Sequence, residues 1–232
     1  MDQHKTVKKS AARYLLILFL QRIIGLVLFI AASGTVKSMR GIVYFSLYFL
    51  ISITAAMIMY RGHQETLNER GKKHKNTKSW DKVLLPVYVL LAYYGIYILA
   101  GLGIRFLWPQ LSEAWMYAGI VLYLISGIFT VWPVVENKYF ESTSRIQSNR
   151  GQTVVSTGPY RIVRHPGYLG ILIWAASTAM IFGTLAVCLI SAVIIAIIGV
   201  RTYLEDTMLK KELPGYIDYA SKVKYRLIPY VW

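Results

Sequence analysis

One apolar block decides the fold of this chain: YLGILIWAASTAMIFGTLAVCLISAVIIAIIGV, residues 168–200, which contains no charged side chain. A single helix of this length would run about 50 Å, whereas the hydrocarbon core of a bilayer is about 30 Å thick. The interruption at Phe182-Gly183-Thr184 therefore predicts a tight helical hairpin. Its second helix is expected to continue past Val200 toward Leu213, where Pro214-Gly215 ends it.

Four earlier apolar blocks are also close to the length of about 20 residues that a membrane helix needs. They cover residues 14–32, 42–60, 83–107 and 115–135. Of the 232 residues 56% are hydrophobic, and the mean hydropathy is +0.45, which is too apolar for a soluble domain. The sequence thus predicts an all-α polytopic membrane bundle of about six transmembrane helices, forming a single integral membrane domain over residues 1–232.

The distribution of basic residues predicts the orientation of the bundle. Six spans would place 22 of the 26 Lys and Arg on the side of both termini, against three on the other side. This asymmetry follows the positive-inside rule, so both termini are predicted to be cytoplasmic. The membrane topology then explains most of the net charge of +15, which also favours contact with anionic membrane lipids. The charge does not indicate nucleic-acid binding. Arg22 is the exception within a span, where it could line a cavity, snorkel or pair.

Two polar signatures flank the apolar hairpin. The first is GPYRIVRHPGYLG, residues 158–170, and the second is RTYLED, residues 201–206. The hairpin would bring both to the cytoplasmic surface, where the long connection of residues 136–167 also lies. The other long cytoplasmic connection, residues 61–82, is expected to be a polar loop. We therefore predict a cytoplasmic-side cofactor site formed by the C-terminal half.

Arg201 and Glu205 are the first candidates for chemistry. Their i, i+4 spacing puts them on one face of a helix at the membrane surface. The pair could be an interfacial salt bridge, or it could supply a cation and a carboxylate to a functional site. Asp206, rotated by about 100°, could be solvated or act as a second ligand. His165 stands in a rigid turn before Pro166. No second His or carboxylate stands beside His165 at the spacing of metal ligands, and Cys188 is the only cysteine. No metal site is therefore predicted.

The motifs taken in order resemble the isoprenylcysteine carboxyl methyltransferase family, which is akin to the phospholipid N-methyltransferases. The resemblance covers residues 80–232, a methyltransferase-like core, and leaves residues 1–79 as a tail and two poorly matched spans. It rests on NKYF (137–140), RIQ (145–147), RGQTVV (150–155), GPY (158–160), RHPGY (164–168), Arg201-x-x-x-Glu205, GYxxY (215–219) and YRLIP (225–229).

The resemblance implies S-adenosylmethionine as cofactor and assigns residues to it. Arg201 would face the substrate, and Glu205 would bind the cofactor at the end of the helix. The family often has a second Glu where this chain has Asp206. The other implied cofactor residues are Gln152, Thr153, Val154, Val155, Tyr160, His165, Pro166, Gly167 and Tyr168.

The chemistry of a carboxylate acceptor agrees with these residues. Such an acceptor is already ionised and needs a cation for orientation, which the planar guanidinium of Arg201 offers. An amine or hydroxyl acceptor would instead need a base, for which Glu205 and His165 are candidates. Prenylated cysteine carboxylates, phospholipid amines and other small lipophilic acceptors all remain open as substrates.

Two other functional classes predict different behaviour. A membrane reductase of the sterol-reductase type would bind a nicotinamide cofactor instead of S-adenosylmethionine. A non-catalytic membrane protein, such as a transporter or assembly factor, would bind neither. Polar residues are sparse in the predicted spans, which disfavours a solute pathway.

Overall fold

The computed structural model of this chain describes residues 9–72 and 76–232. Most of the basic N-terminal tail, and Lys73, His74 and Lys75 of the 61–82 connection, lie outside these ranges. Within them the fold is all-helical and contains no β-strand, as predicted.

Nine α-helices make up the described part of the chain. In order they are α1 (Lys9–Ser33), α2 (Met39–Gly62), α3 (Gln64–Arg70), α4 (Asp81–Leu90), α5 (Ile96–Arg105), α6 (Glu113–Glu136), α7 (Pro166–Phe182), α8 (Leu185–Glu212) and α9 (Tyr216–Lys222). A π-helical turn, Leu91–Gly95, joins α4 to α5, so that Asp81–Arg105 is one continuous rod.

Five of these rods are long and apolar enough to cross a membrane: α1, α2, α4 with α5, α6 and α8. The predicted sixth span is α7, a shorter apolar helix of 17 residues, at the lower limit of membrane-spanning length. Large apolar side chains such as Leu16, Leu50, Val121 and Leu189 are exposed around the bundle, as expected of surfaces that face lipid tails.

The helical hairpin forms at the predicted position. Gly183 ends α7 in the left-handed region, with φ of 71°, and Thr184 caps α8 by accepting a hydrogen bond from the backbone N–H of Val187. Helix α8 then runs to Glu212, well beyond the apolar block, and Gly215 (φ 81°) turns the chain into α9. The continuation past Val200 and the stop at Pro214-Gly215 are therefore confirmed.

The connection of residues 61–82 is more than a polar loop. It contains α3, in which Thr66, Leu67 and Asn68 are buried, and Asp81, which is completely buried. Polar residues dominate this segment in the sequence, so only the tertiary contacts show that it packs into the bundle.

Close packing of α1 against α5 depends on Gly101. A Cβ atom at this position would lie 2.6 Å from the carbonyl oxygen of Phe29, in the backbone of α1. We expect Gly101→Ala to force the two helices apart and to lower the free energy of unfolding by about 1–3 kcal/mol. Thermal unfolding in detergent would measure the change.

Gly199→Ala is the matched control, because no atom lies within 4 Å of a Cβ at Gly199. This variant should unfold at the wild-type temperature or slightly above it, since alanine is the better helix former. If both variants lost the same free energy of unfolding, the packing role of Gly101 would be contradicted.

Candidate functional site

A cavity of about 820 Å³ lies where the irregular segment of residues 137–165 meets the first turn of α7, the polar end of α8 and α9. We call it the C-terminal cavity. All ten residues that the family resemblance assigns to the cofactor line it: Gln152, Thr153, Val154, Val155, Tyr160, His165, Pro166, Gly167, Tyr168 and Glu205. Residues far apart in the chain are thus brought together around one space.

Side-chain amides hold the irregular segment in shape. Gln147 donates from Nε2 to the carbonyl oxygen of Tyr139 at 2.6 Å, and the Oε1 of Gln152 accepts from the backbone N–H of Gln147 at 2.7 Å. Gly151 adopts the left-handed region with φ of 57° between these residues. Gln152 therefore serves both as a brace of the loop and as part of the cavity wall.

Gly167 allows the loop to approach the start of α7 closely. A Cβ atom there would lie 2.6 Å from the ring of Phe140, which also lines the C-terminal cavity. Any larger residue at this position would displace the ring and change the shape of the cavity.

Glu205 presents a carboxylate to the cavity in a fixed orientation. Its Oε2 accepts hydrogen bonds from the hydroxyl groups of Tyr168 at 2.7 Å and Ser144 at 2.5 Å. Within residues 9–72 and 76–232, no hydrogen bond or ion pair engages Oε1. One carboxylate oxygen is thus available to a cationic ligand while the other is held in place.

Arg201 lies one helical turn from Glu205 but does not line the C-terminal cavity. Its Nε and Nη2 contact Oδ1 of Asp81 at 2.8 and 2.6 Å, and its Nη2 also donates to the carbonyl oxygen of Ser142. The guanidinium lies over the ring of Tyr168, 5.4 Å from its centroid. The salt bridge of Arg201 is therefore made with α4 rather than with its i+4 neighbour.

Asp81 is a partner that the sequence did not reveal. It lies 120 residues from Arg201 and is completely buried. Its second oxygen accepts from the backbone N–H of Ser144 at 2.8 Å, next to the hydroxyl that binds Glu205. Asp81 therefore links α4, the cavity loop and α8, and it orients Arg201 and Ser144 together.

Asp206 is almost completely buried, with 1% of its side chain exposed, so it is not solvated. Arg164 donates to both of its oxygens, at 2.7 and 3.1 Å, and Tyr216 donates to Oδ1 at 3.0 Å. Arg226 and Lys210 each lie 3.0 Å from Oδ2. This network, which we call the Asp206 cluster, fastens the C-terminal tail and α9 to the base of the cavity.

His165 connects the Asp206 cluster to the cavity. Its Nε2 lies 3.4 Å from both Oδ1 of Asp206 and the hydroxyl of Tyr216, and its ring stacks on Tyr168 with 5.9 Å between centroids. The backbone N–H of His165 donates to the carbonyl oxygen of Arg226. The position of the imidazole is therefore set on several sides.

Three tyrosines give the cavity neutral hydroxyl groups. Burial raises the pKa of Tyr160, Tyr216 and Tyr219 above the ordinary value near 10, and the carboxylate of Asp206 raises that of Tyr216 further. All three phenols therefore stay protonated at neutral pH. They act as hydrogen-bond donors, Tyr216 to Asp206 and Tyr219 to the carbonyl oxygen of Tyr160, and not as bases.

One hydroxyl of the cavity wall lacks a partner among the residues that the structure describes. Oγ1 of Thr143 is buried and forms no hydrogen bond within the described part of the chain. Burying a polar group unpaired costs about 1–3 kcal/mol, so this atom favours a ligand with a polar group at that point. The described residues hold no cluster of three His, Cys, Asp or Glu that could bind a metal ion.

Comparisons with known proteins agree with the motifs. Residues 118–211 match the model of the isoprenylcysteine carboxyl methyltransferase (ICMT) family. Two rice proteins, each named "Probable protein-S-isoprenylcysteine O-methyltransferase", from Oryza sativa subsp. indica and subsp. japonica, are 28% identical over 174 residues, which is 73% of this chain and 90% of theirs. "Protein-S-isoprenylcysteine O-methyltransferase B" of Arabidopsis thaliana is 25% identical over 120 residues, half of this chain and 61% of its own length. The family resemblance inferred from the motifs is thereby confirmed.

Proposed function

We propose that this chain, which matches the ICMT family over residues 118–211, is an integral membrane methyltransferase that uses S-adenosylmethionine. The methyl group would go to a lipophilic acceptor, foremost the carboxylate of an isoprenylcysteine-like molecule or a related lipid. The observation that carries the proposal is the convergence of all ten assigned residues on the C-terminal cavity, with Glu205 facing into it. The names of the rice relatives agree with this activity.

The lining of the C-terminal cavity suits the charge and the chemical groups of S-adenosylmethionine. The free oxygen of Glu205 suits a cationic group, the aromatic rings of Phe140 and Tyr160 suit a purine, and Thr143 offers an unpaired hydroxyl. When bound, the cofactor supplies an electrophilic methyl group attached to a positively charged sulfur.

The residues of this chain would contribute position and charge rather than acid–base chemistry. A carboxylate acceptor is already nucleophilic, so holding it in line with the methyl group supplies most of the rate enhancement. We assign Arg201 to this task. Its Nη1 has no partner among the described residues, while Asp81 and Ser142 fix the rest of the guanidinium. Glu205, held by Tyr168 and Ser144, would bind the cofactor.

The acceptor is proposed to arrive from the membrane and the cofactor from the cytoplasm. The positive-inside asymmetry of 22 against three basic residues supports a cytoplasmic site and cytoplasmic termini. Tyr168 lines the C-terminal cavity, and the buried Arg201 lies beside it where the apolar part of the hairpin meets its polar end, so the two proposed routes meet at this junction. Fusion of a reporter to the C-terminal end would test the orientation.

Calorimetric titration of the detergent-purified protein with S-adenosylmethionine tests the assignment of the cavity. We expect saturable binding that becomes about 10–100-fold weaker in Glu205→Gln, because a hydrogen-bonded charge contact is lost. His165→Ala should weaken binding about 10-fold, because the imidazole packs on Tyr168 and supports the cavity wall.

Glu212→Gln is the matched control, since Glu212 is an exposed carboxylate on the same helix, paired with Lys78 outside the cavity. It should bind the cofactor like wild type. Well-folded wild-type protein that binds NADPH but not S-adenosylmethionine would replace the methyltransferase proposal with the reductase alternative. Binding of neither would support a non-catalytic role.

A further inference from the structure

Arg22 is a cation within the predicted first span, and the described residues provide no counter-ion for it. It lies eight residues into the predicted first span, about 12 Å along the helix from Tyr14. Its Nε donates to the hydroxyl of Ser52 and its Nη1 to the carbonyl oxygen of Leu18 at 3.0 Å, so both partners are uncharged. Within residues 9–72 and 76–232, Nη2 has no partner and no carboxylate pairs with the side chain.

A second cavity, of about 560 Å³, opens at this arginine. We call it the membrane cavity. Its wall comes from α1, α2, α4, the π-helical turn, α6 and α7, and includes Arg22, Tyr48, Ser52, Tyr123 and Trp174. It shares no lining residue with the C-terminal cavity in the described structure. The wall is mostly aromatic and apolar, and Ser52 and Tyr48 lie in contact with Arg22.

Tyr48 supplies a second polar group without a partner. It is 94% buried, its ring lies under the guanidinium at 5.0 Å, and its hydroxyl forms no hydrogen bond among the described residues. Ser52, in contrast, is satisfied, because it donates to the carbonyl oxygen of Tyr48 and accepts from Arg22. The membrane cavity therefore presents an unused N–H and an unused hydroxyl at the same end.

Leaving a guanidinium without a counter-ion and a phenol without a hydrogen bond in an apolar region is costly. The Nη2 of Arg22 can only donate and the hydroxyl of Tyr48 can also donate, so an acceptor satisfies both, and the uncompensated charge calls for one negative charge. Cavities with apolar walls and a few convergent polar groups are typical of small-ligand sites. We infer that the membrane cavity binds a lipophilic monocarboxylate, with its carboxylate on Arg22 and Tyr48 and its hydrocarbon part among the aromatic side chains.

This inference goes beyond the proposed methyl transfer, because it concerns a cavity that shares no lining residue with the C-terminal cavity among the described residues. It is tested with a photoreactive pair in lipid nanodiscs: a palmitic acid analogue with a diazirine in its chain, and the primary alcohol of the same length. Mass spectrometry of the cross-linked protein locates the label. We expect the acid to label peptides containing Tyr123 or Trp174 about 10-fold more than the alcohol, as a charge-assisted contact predicts.

Two variants separate the contributions of the two donors. Arg22→Gln should reduce labelling by the acid about 10–100-fold, and Tyr48→Phe, which removes only the hydroxyl, about 3–10-fold. Labelling by the alcohol should change little in either variant. Arg13→Gln, which removes an exposed cation from the same helix, should leave both signals as in wild type.

Equal labelling by acid and alcohol in wild type, or undiminished labelling in both cavity variants, would overturn the inference. If Arg22→Gln does not fold, the Tyr48→Phe variant and the wild-type comparison of acid with alcohol still decide. Binding of S-adenosylmethionine is expected to be unchanged in Tyr48→Phe, and the cofactor should not compete with the photoprobe. A failure of the proposed methyltransferase function would therefore be seen separately from a failure of this site.

Discussion

Asp206→Asn should unfold at a temperature about 10 °C or more below wild type. The substitution keeps the volume of the side chain but removes its negative charge from the Asp206 cluster. Arg164, Lys210 and Arg226 would then surround a neutral amide, with Arg164 almost completely buried. Removing one member of a buried ion pair costs about 3–5 kcal/mol, because the remaining charge is left uncompensated.

The same variant should bind S-adenosylmethionine more weakly, because His165 and Tyr216 contact both Asp206 and the C-terminal cavity. Thermal unfolding and calorimetry on one preparation would measure both effects. Asp218→Asn, at an exposed position on α9, removes an equal charge and should change neither quantity. If the two variants unfolded at the same temperature, the Asp206 cluster would not be the anchor of the C-terminal tail.

Local chemistry made the hairpin predictable. An αL-forming glycine followed by a capping threonine acts within a few residues, and the thickness of a bilayer does not depend on tertiary contacts. Gly183, Thr184 and the stop at Pro214-Gly215 are therefore visible in the sequence. The hairpin in turn brings the 158–170 signature to Glu205, which is why the residues assigned to the cofactor by the family resemblance converge in the structure.

Long-range polar contacts were not predictable in the same way. Membrane helices are apolar on every side, so hydrophobic periodicity does not indicate which faces pack together. Asp81 stands among lysines in the sequence, and only the packing of α4 on α8 shows that it pairs with Arg201. Tyr216 and Tyr219 belong to a tail that alternates aromatic and basic residues, a pattern typical of a membrane interface, yet both are buried and line the C-terminal cavity.

Because Arg201 pairs with Asp81 and not with Glu205, substitutions of Arg201 and of Glu205 should have different effects on turnover and on cofactor binding. Arg201 lies outside the C-terminal cavity, whereas Glu205 lines it. If Arg201 orients an acceptor carboxylate, its loss should affect turnover without affecting cofactor binding. If it only stabilises the fold, both properties should decline together as the protein unfolds.

Arg201→Lys is therefore expected to lower kcat/KM for an isoprenylcysteine acceptor by about 100–1,000-fold while binding of S-adenosylmethionine stays within a factor of three. Lysine keeps the charge that Asp81 needs, so the fold is retained, but it lacks the planar geometry that can hold Asp81 and an acceptor at once. Transfer of labelled methyl groups to N-acetyl-S-farnesylcysteine, measured as base-labile ester, gives the rate. The exposed Arg161→Lys serves as the control and should match wild type.

The separate changes in kcat and KM of the Arg201→Lys variant decide which role Arg201 has. A rise in KM with little change in kcat would assign it to binding of the acceptor before reaction, and equal falls in kcat and kcat/KM would assign it to the transition state. Turnover within threefold of wild type would remove Arg201 from the site. The carboxylate acceptor would then lose its cation, and an amine or hydroxyl acceptor, with Glu205 or His165 as base, would become the better description of the reaction.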